Sequence, residues 1–266
     1  MLMSSRSPSE KFRRILGRVV QQDFVGRGSE LDRIMVQAEP TNAGRGLLLL
    51  MEPSAGVSEL LRQAYDNLFN LRSDVIPVYF AITPNETTAV SAAIEFLNTF
   101  VQQYIAFRRN EPVVSNAPLT LQELLELAPP ADLEWIEQLV ESYNRLRFGN
   151  DDKPLVRSCL AAPQRIPAGR GRPFVMLDGS QLAEYLNGAV VLGTEILRVF
   201  GRSSFSFVLA GLRRQILEAA HDAKLDLELL DTLRLEQLDT AEAAKLVEHV
   251  ARRQQVTTSE IARDLL

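Results

Sequence analysis

The sequence predicts an α/β protein built on a central parallel sheet, and three observations predict it. Short apolar runs alternate with stretches of helical period along most of the 266 residues. The first run, Leu47-Leu48-Leu49-Leu50-Met51, is continuously apolar and follows a glycine loop, which favours a strand buried on both faces. Hydrophobic residues make up 46% and charged residues 24% of the chain, enough to bury a sizeable core as one large domain or a domain with a small helical appendage.

Met1 to Glu10 reads as a Ser-bearing leader. Lys11 to Gln22 reads as a short amphipathic helix with Phe12, Ile15, Leu16 and Val19 on one side. A helix from Ser29 to Ala38 follows, with Ser29 as its cap. After the apolar run, Glu52 to Val57 is a loop and Ser58 to Leu71 is a helix. Val75 to Phe80 is a second strand, and Pro77, lacking an N–H, places it at an edge. Thr87 to Arg109 is a long helix. Residues 110–172 break the rhythm with two helices, Thr120 to Leu127 and Asp132 to Phe148, and are expected to be a helical insertion; the pair Asp151-Asp152 reads as a solvated loop. A third strand, Pro173 to Asp178, precedes a helix over Leu182 to Phe200. A fourth strand, Ser204 to Ala210, precedes a helix over Arg213 to Ala223. Thr232 to Leu235 is a short fifth strand, Thr240 to Gln255 an amphipathic helix, and Thr257 to Leu266 opens another.

Charge and cysteine content narrow the function classes. A net charge of −5 and a pI near 5.3 argue against nucleic acid as a partner bound mainly by charge. The single cysteine, Cys159, allows no internal disulfide and reads as inert, which suits a reducing, cytoplasmic setting. No run is long enough to span a bilayer, so membrane insertion is not expected. With two histidines and one cysteine set far apart, neither a Cys–His nucleophile nor a metal cluster is suggested.

The loop after the first strand carries the chemistry. A phosphate-binding P-loop is a strand, then G-x-x-x-x-G-K-[ST], then a helix: backbone N–H groups wrap the phosphates, lysine neutralises them and the hydroxyl holds Mg²⁺. Met51-Glu52-Pro53-Ser54-Ala55-Gly56-Val57-Ser58 keeps the second glycine and the serine. Met51 replaces the first glycine and Val57 replaces the lysine. A charge-assisted hydrogen bond is worth about 1.5–3 kcal/mol, so hydrolysis by the usual route is not expected. Weak binding of ATP or ADP with Mg²⁺ through Gly56, Ser58 and the helix N-terminus is still allowed.

Several segments, in order, resemble the AAA+/STAND family of P-loop ATPases, in particular the Orc/Cdc6-like AAA domain. Phe24-Val25-Gly26-Arg27-Gly28-Ser29-Glu30-Leu31 resembles the family's hhGR-x-x-E-L box, which implies that Val25, Gly26 and Arg27 lie against an adenine. Phe174 to Asp178 resembles the Walker B strand, which implies Asp178 and Ser58 as Mg²⁺ ligands; the acidic base that follows in the family is Gly179 here. Phe205 to Gly211 resembles the sensor-1 strand, and Leu235 to Ala243 the entry to a helical lid. The resemblance spans about residues 23–255 and implies a three-layer P-loop NTPase fold. It divides the chain into a leader (1–22), an α/β domain (23–235, insertion 110–172) and a C-terminal helical lid (236–266). Arg213 and Arg214 stand where an arginine finger would start, or simply open a solvated helix. The expected function is a non-hydrolysing scaffold or regulatory subunit beside a protein partner, such as a paralogous AAA+ subunit. The alternative is an atypical ATP switch that draws its positive charge from Arg27, Arg62 or Arg213. An initiator-like nucleic-acid module, with a winged helix opening at Thr257, ranks below both.

Overall fold

The computed structural model describes residues 12–225 and 230–254, with the side chains of residues 253 and 254 outside that description. Five strands form one all-parallel sheet: β1 (Gly46–Met51), β2 (Val75–Ala81), β3 (Arg172–Asp178), β4 (Ser206–Leu212) and β5 (Leu230–Leu235), in the order β2-β3-β4-β1-β5. The principal helices are α1 (Gly28–Gln37), α2 (Val57–Leu71), α3 (Ala89–Arg109), α4 (Leu121–Leu127), α5 (Leu133–Leu146), α6 (Asp152–Leu160), α7 (Leu192–Phe200), α8 (Arg213–Ala223) and α9 (Thr240–Gln254).

The order of strands sets the layers. From β1 the chain crosses β4 and β3 through α2 to reach β2, then returns strand by strand to β4 and passes β1 to β5. Right-handed crossovers in opposite directions put their helices on opposite faces. Tyr79 accordingly faces α2, where Arg62 lies 5.3 Å over its ring. The next residue, Phe80, faces the other way onto Phe96 of α3, which packs on Phe200 of α7. The interior strand β1 is buried from Gly46 to Leu50, as its unbroken apolar run requires.

Pro77 does lie on an edge strand, and its register explains why it is tolerated there. Ile82, in register beyond β2, donates to β3 at Asp178 O (3.0 Å), so even-numbered residues face β3 and odd-numbered ones face outward. At Tyr79 that outward edge is closed by Gln103 of α3, whose carboxamide accepts from Tyr79 N (2.7 Å) and donates to Tyr79 O (2.9 Å). A side chain thus stands in for a neighbouring strand and blocks edge-to-edge pairing.

Several elements depart from the sequence reading. Residues 12–20 are not helical; one 3₁₀ turn, Gln21–Asp23, is all that forms there. The segment instead runs along α2 as a strap. Asn70 accepts from Arg13 N (3.0 Å), Asp66 accepts from the N–H groups of Ile15, Leu16 and Gly17 (3.0, 2.8 and 3.1 Å), and Glu59 accepts from Arg18 N and Val19 N. Side chains at 59, 66 and 70, on one face of α2, take the N–H groups that a helix would have used internally. The helix expected over Leu182 to Phe200 is split into a 3₁₀ stretch, Ser180–Tyr185, and α7; residues 186–191 between them are not helical, and Asn187 bridges to Thr88. Asp151 and Asp152 do not sit in a loop: Asp151 caps α6 by accepting from Lys153 N (3.0 Å). Arg27, not Ser29, occupies the cap position of α1. The leader and the Thr257 to Leu266 segment lie outside the described residues.

The insertion shares the main core rather than forming its own. Leu124, Ile136, Leu155 and Val156 are buried in one cluster with the sheet. Glu195 of α7, buried, is met by Arg157 (2.6 Å) and Lys153 (3.7 Å) from α6 and by Arg198 from its own helix.

Candidate functional site

The sheet topology selects one crevice. Adjacent strands β1 and β4 send their chains to opposite faces, through α2 and α8, so the carboxyl ends of these two strands open the switch point where α/β sheets bind ligands. The loop Glu52 to Gly56 stands there. Glu52 N donates to Leu235 O (3.2 Å) and Ala55 N to Glu52 O (3.3 Å), a tight turn in which Ser54 has a φ of 65°. Gly56 caps α2 in the left-handed region, φ 82°, a conformation that costs glycine nothing. It is exposed, and the first N–H groups of α2 lie beyond it, the geometry of an anion cradle.

The side chains are another matter. Val57 is 6% exposed and belongs to the core cluster. Ser58, half-buried, is on the first turn of α2. Asp178 is level with Leu49 through the registers of β3, β4 and β1, two strands away, about 9–10 Å sideways. It is buried, and its Oδ2 accepts from the Tyr79 hydroxyl at 3.0 Å. Burial and then the Asp178 charge push the Tyr79 hydroxyl pKa upward, so the tyrosine stays the donor. Asp178 does not cap the 3₁₀ stretch; Gly179 holds that position.

Arg27 is 7% exposed and has three oxygen partners. Its guanidinium donates to Glu30 (2.8 Å), to the carbonyl of Ala55 (3.3 Å) and to the carbonyl of Glu236. One side chain therefore ties together the 24–31 box, the loop after β1 and the segment leading into α9. Burial acts to raise the Glu30 pKa, but its hydrogen bonds from Arg27 and Ser29 outweigh that and hold the carboxyl below its usual range. Gly26 is where the segment leading into α9 closes on the box: a Cβ there would lie 2.8 Å from Leu238 Cδ2. His249 of α9 adds a 2.7 Å hydrogen bond to Asp23. Val25 is half-buried beside them.

The sequence-predicted residues thus fall into three groups. Val25, Gly26 and Arg27 meet the loop through Arg27. Gly56, Val57 and Ser58 form the strand-to-helix junction itself. Asp178 lies apart, engaged with Tyr79, a partner that no motif announced; its outward register on β2 and its spacing from Pro77 are what the sequence offered. Of the other cations, Arg62 is over Tyr79, while Arg213 is exposed directly after Leu212, which is level with Met51. Of the donors a magnesium nucleotide would use, the backbone cradle is present, the position of the ammonium is an isopropyl group in the core, and the buried guanidinium of Arg27 is turned to Glu30, Ala55 and Glu236.

The thiol of Cys159 is buried and its pKa is pushed up to about 12 by that burial, so it is not a nucleophile at neutral pH. Among the described residues no group of three or more His, Cys, Asp or Glu could hold a metal ion, and no helix is long and apolar enough to cross a membrane. The chain matches no protein-family model, no curated protein and no solved structure.

Proposed function

We propose that the chain is an AAA+-like module that does not hydrolyse nucleotide and works as a scaffold or regulatory subunit, beside a protein partner such as a paralogous AAA+ subunit. One observation carries this reading: Arg27 makes, from within the protein, the bridge between box, loop and lid entry that a bound nucleotide would otherwise make. Burial of Val57 in place of a lysine and Gly179 in place of an acidic base support it. Weak occupancy by ATP or ADP at Gly56 and Ser58 is compatible with the same reading. Phosphate release from Mg-ATP is the test. The reading expects no turnover above background, and a steady rate from the pure protein ends it.

The alternative, an ATP switch with a cation from elsewhere, is favoured by the register of Arg213. That residue follows Leu212 at the carboxyl end of the strand beside β1 and is exposed. Loss of a measurable turnover in Arg213→Ala would support the switch, and an inactive parent protein would remove it.

A further inference from the structure

The pair α4 and α5 holds an outsized share of the chain's charge. Between Leu121 and Leu146 stand six acidic residues and one basic residue, Arg145, a local charge of −5 that equals the formal net charge of the whole chain. Two of the six have structural duties: Glu123 closes the capping box of α4 with Thr120, and Asp132 is buried against Arg108 at 2.9 Å. Glu126, Glu134, Glu137 and Glu141 have no ion-pair partner among the described residues.

Two of these carboxylates, Glu126 and Glu137, border a trough of about 760 Å³ between α3, α4 and α5. Its floor is apolar, with Ile94, Leu121, Leu125 and Leu133 half-buried. Its rim has one carboxylate from each helix: Glu95, Glu126 and Glu137, all exposed. Along α5 the lining residues Leu133, Glu137, Val140, Asn144 and Arg147 recur at spacings of four and three, the spacing at which one helix packs along another. That stripe is about 21 Å long at 1.5 Å per residue, the length of a four-turn helix. Arg147, the cation of the lining, is folded over Tyr143 (5.6 Å) and Phe148 (5.3 Å) at one end.

We propose that this trough docks a basic amphipathic helix of a protein partner. Its leucine-type side chains would lie on the floor and its lysines or arginines would meet the three rim carboxylates. Nucleic acid and anionic lipid are repelled by the same charge.

The test uses labelled helical peptides of about 14–18 residues and fluorescence anisotropy with the whole protein. One peptide has leucines at the three-and-four spacing and lysines elsewhere, a second has glutamates for lysines, and a third is a shuffle of the first without an apolar face. The lysine peptide is expected to bind, and Glu126→Lys with Glu137→Lys is expected to weaken it at least about tenfold while improving the glutamate peptide. Both positions are exposed, so the fold tolerates the change. Equal binding of the shuffled peptide, unchanged binding by the charge-reversed protein, or no binding at about 1 mM would each overturn the proposal.

Discussion

A buried arginine with three oxygen partners is a costly residue to remove, because each partner is then left without a donor. Arg27→Gln should therefore destabilise the protein by about 2–4 kcal/mol, read as a lower midpoint of chemical denaturation. Arg27→Lys should recover only part of that, since an ammonium cannot spread its donors over a carboxylate and two carbonyls as a guanidinium does. Wild-type stability in both variants would mean that the 24–31 box, the loop after β1 and the segment leading into α9 are held by other contacts. Val57 gives the complementary test. Val57→Lys restores the motif's charge yet should yield no phosphate release, because Gly179 supplies no base and Asp178 is engaged with Tyr79. At this scale the sequence was informative about identities and silent about engagement: a valine at position 57 could be read directly, whereas two of the three partners of Arg27 lie 28 and 209 positions away.

Among the elements, the strap and the α6–α7 junction make separate predictions. Gly17 lets the strap approach α2, since a Cβ there would lie 2.8 Å from both Asp66 Oδ2 and Gln63 Nε2. Gly17→Ala should loosen residues 13–19, seen as faster hydrogen exchange of the Ile15 and Leu16 amides while the sheet amides stay protected. Asp66→Ala removes the acceptor of three N–H groups and should cost about 2–4 kcal/mol. At the junction, burial alone would raise the Glu195 pKa, but the Arg157 hydrogen bond and the charges of Arg198, Arg157 and Lys153 hold it below its ordinary value. A depressed folded-state pKa adds stability above the ordinary carboxylate range and loses it as pH falls through the folded value. Denaturation midpoints measured from pH 6 down to about pH 3 should fall less steeply in Glu195→Gln than in the wild type.

Elements with a strong period were legible: the strand beginning near Leu47 and the helices ending at Leu71 and Arg109 lie within a residue or two of their expected bounds. The strap was not, because Phe12, Ile15, Leu16 and Val19 have helical spacing, while the acceptors that unwind the segment belong to α2. The start of α6 was signalled by Asp151 with Pro154 in the first turn, a cap-and-proline pattern that a reading of paired solvated carboxylates passes over.

For the molecule as a whole, alternation of strands and helices gave the parallel sheet but not the order β2-β3-β4-β1-β5, which depends on where each crossover lands. That order places the loop at the switch point of the sheet and Asp178 two strands from it. Overall charge was equally uninformative about distribution, since the stretch from Leu121 to Leu146 holds a charge equal to the total. The backbone at the switch point can cradle an anion, while Arg27, Val57 and Asp178 are committed elsewhere. Isothermal titration of the wild-type protein with ATP and Mg²⁺ tests that most directly. Affinity no tighter than about 1 mM, unaffected by omitting Mg²⁺, is the result expected. Binding at about 1 μM or tighter that depends on Mg²⁺ would contradict it.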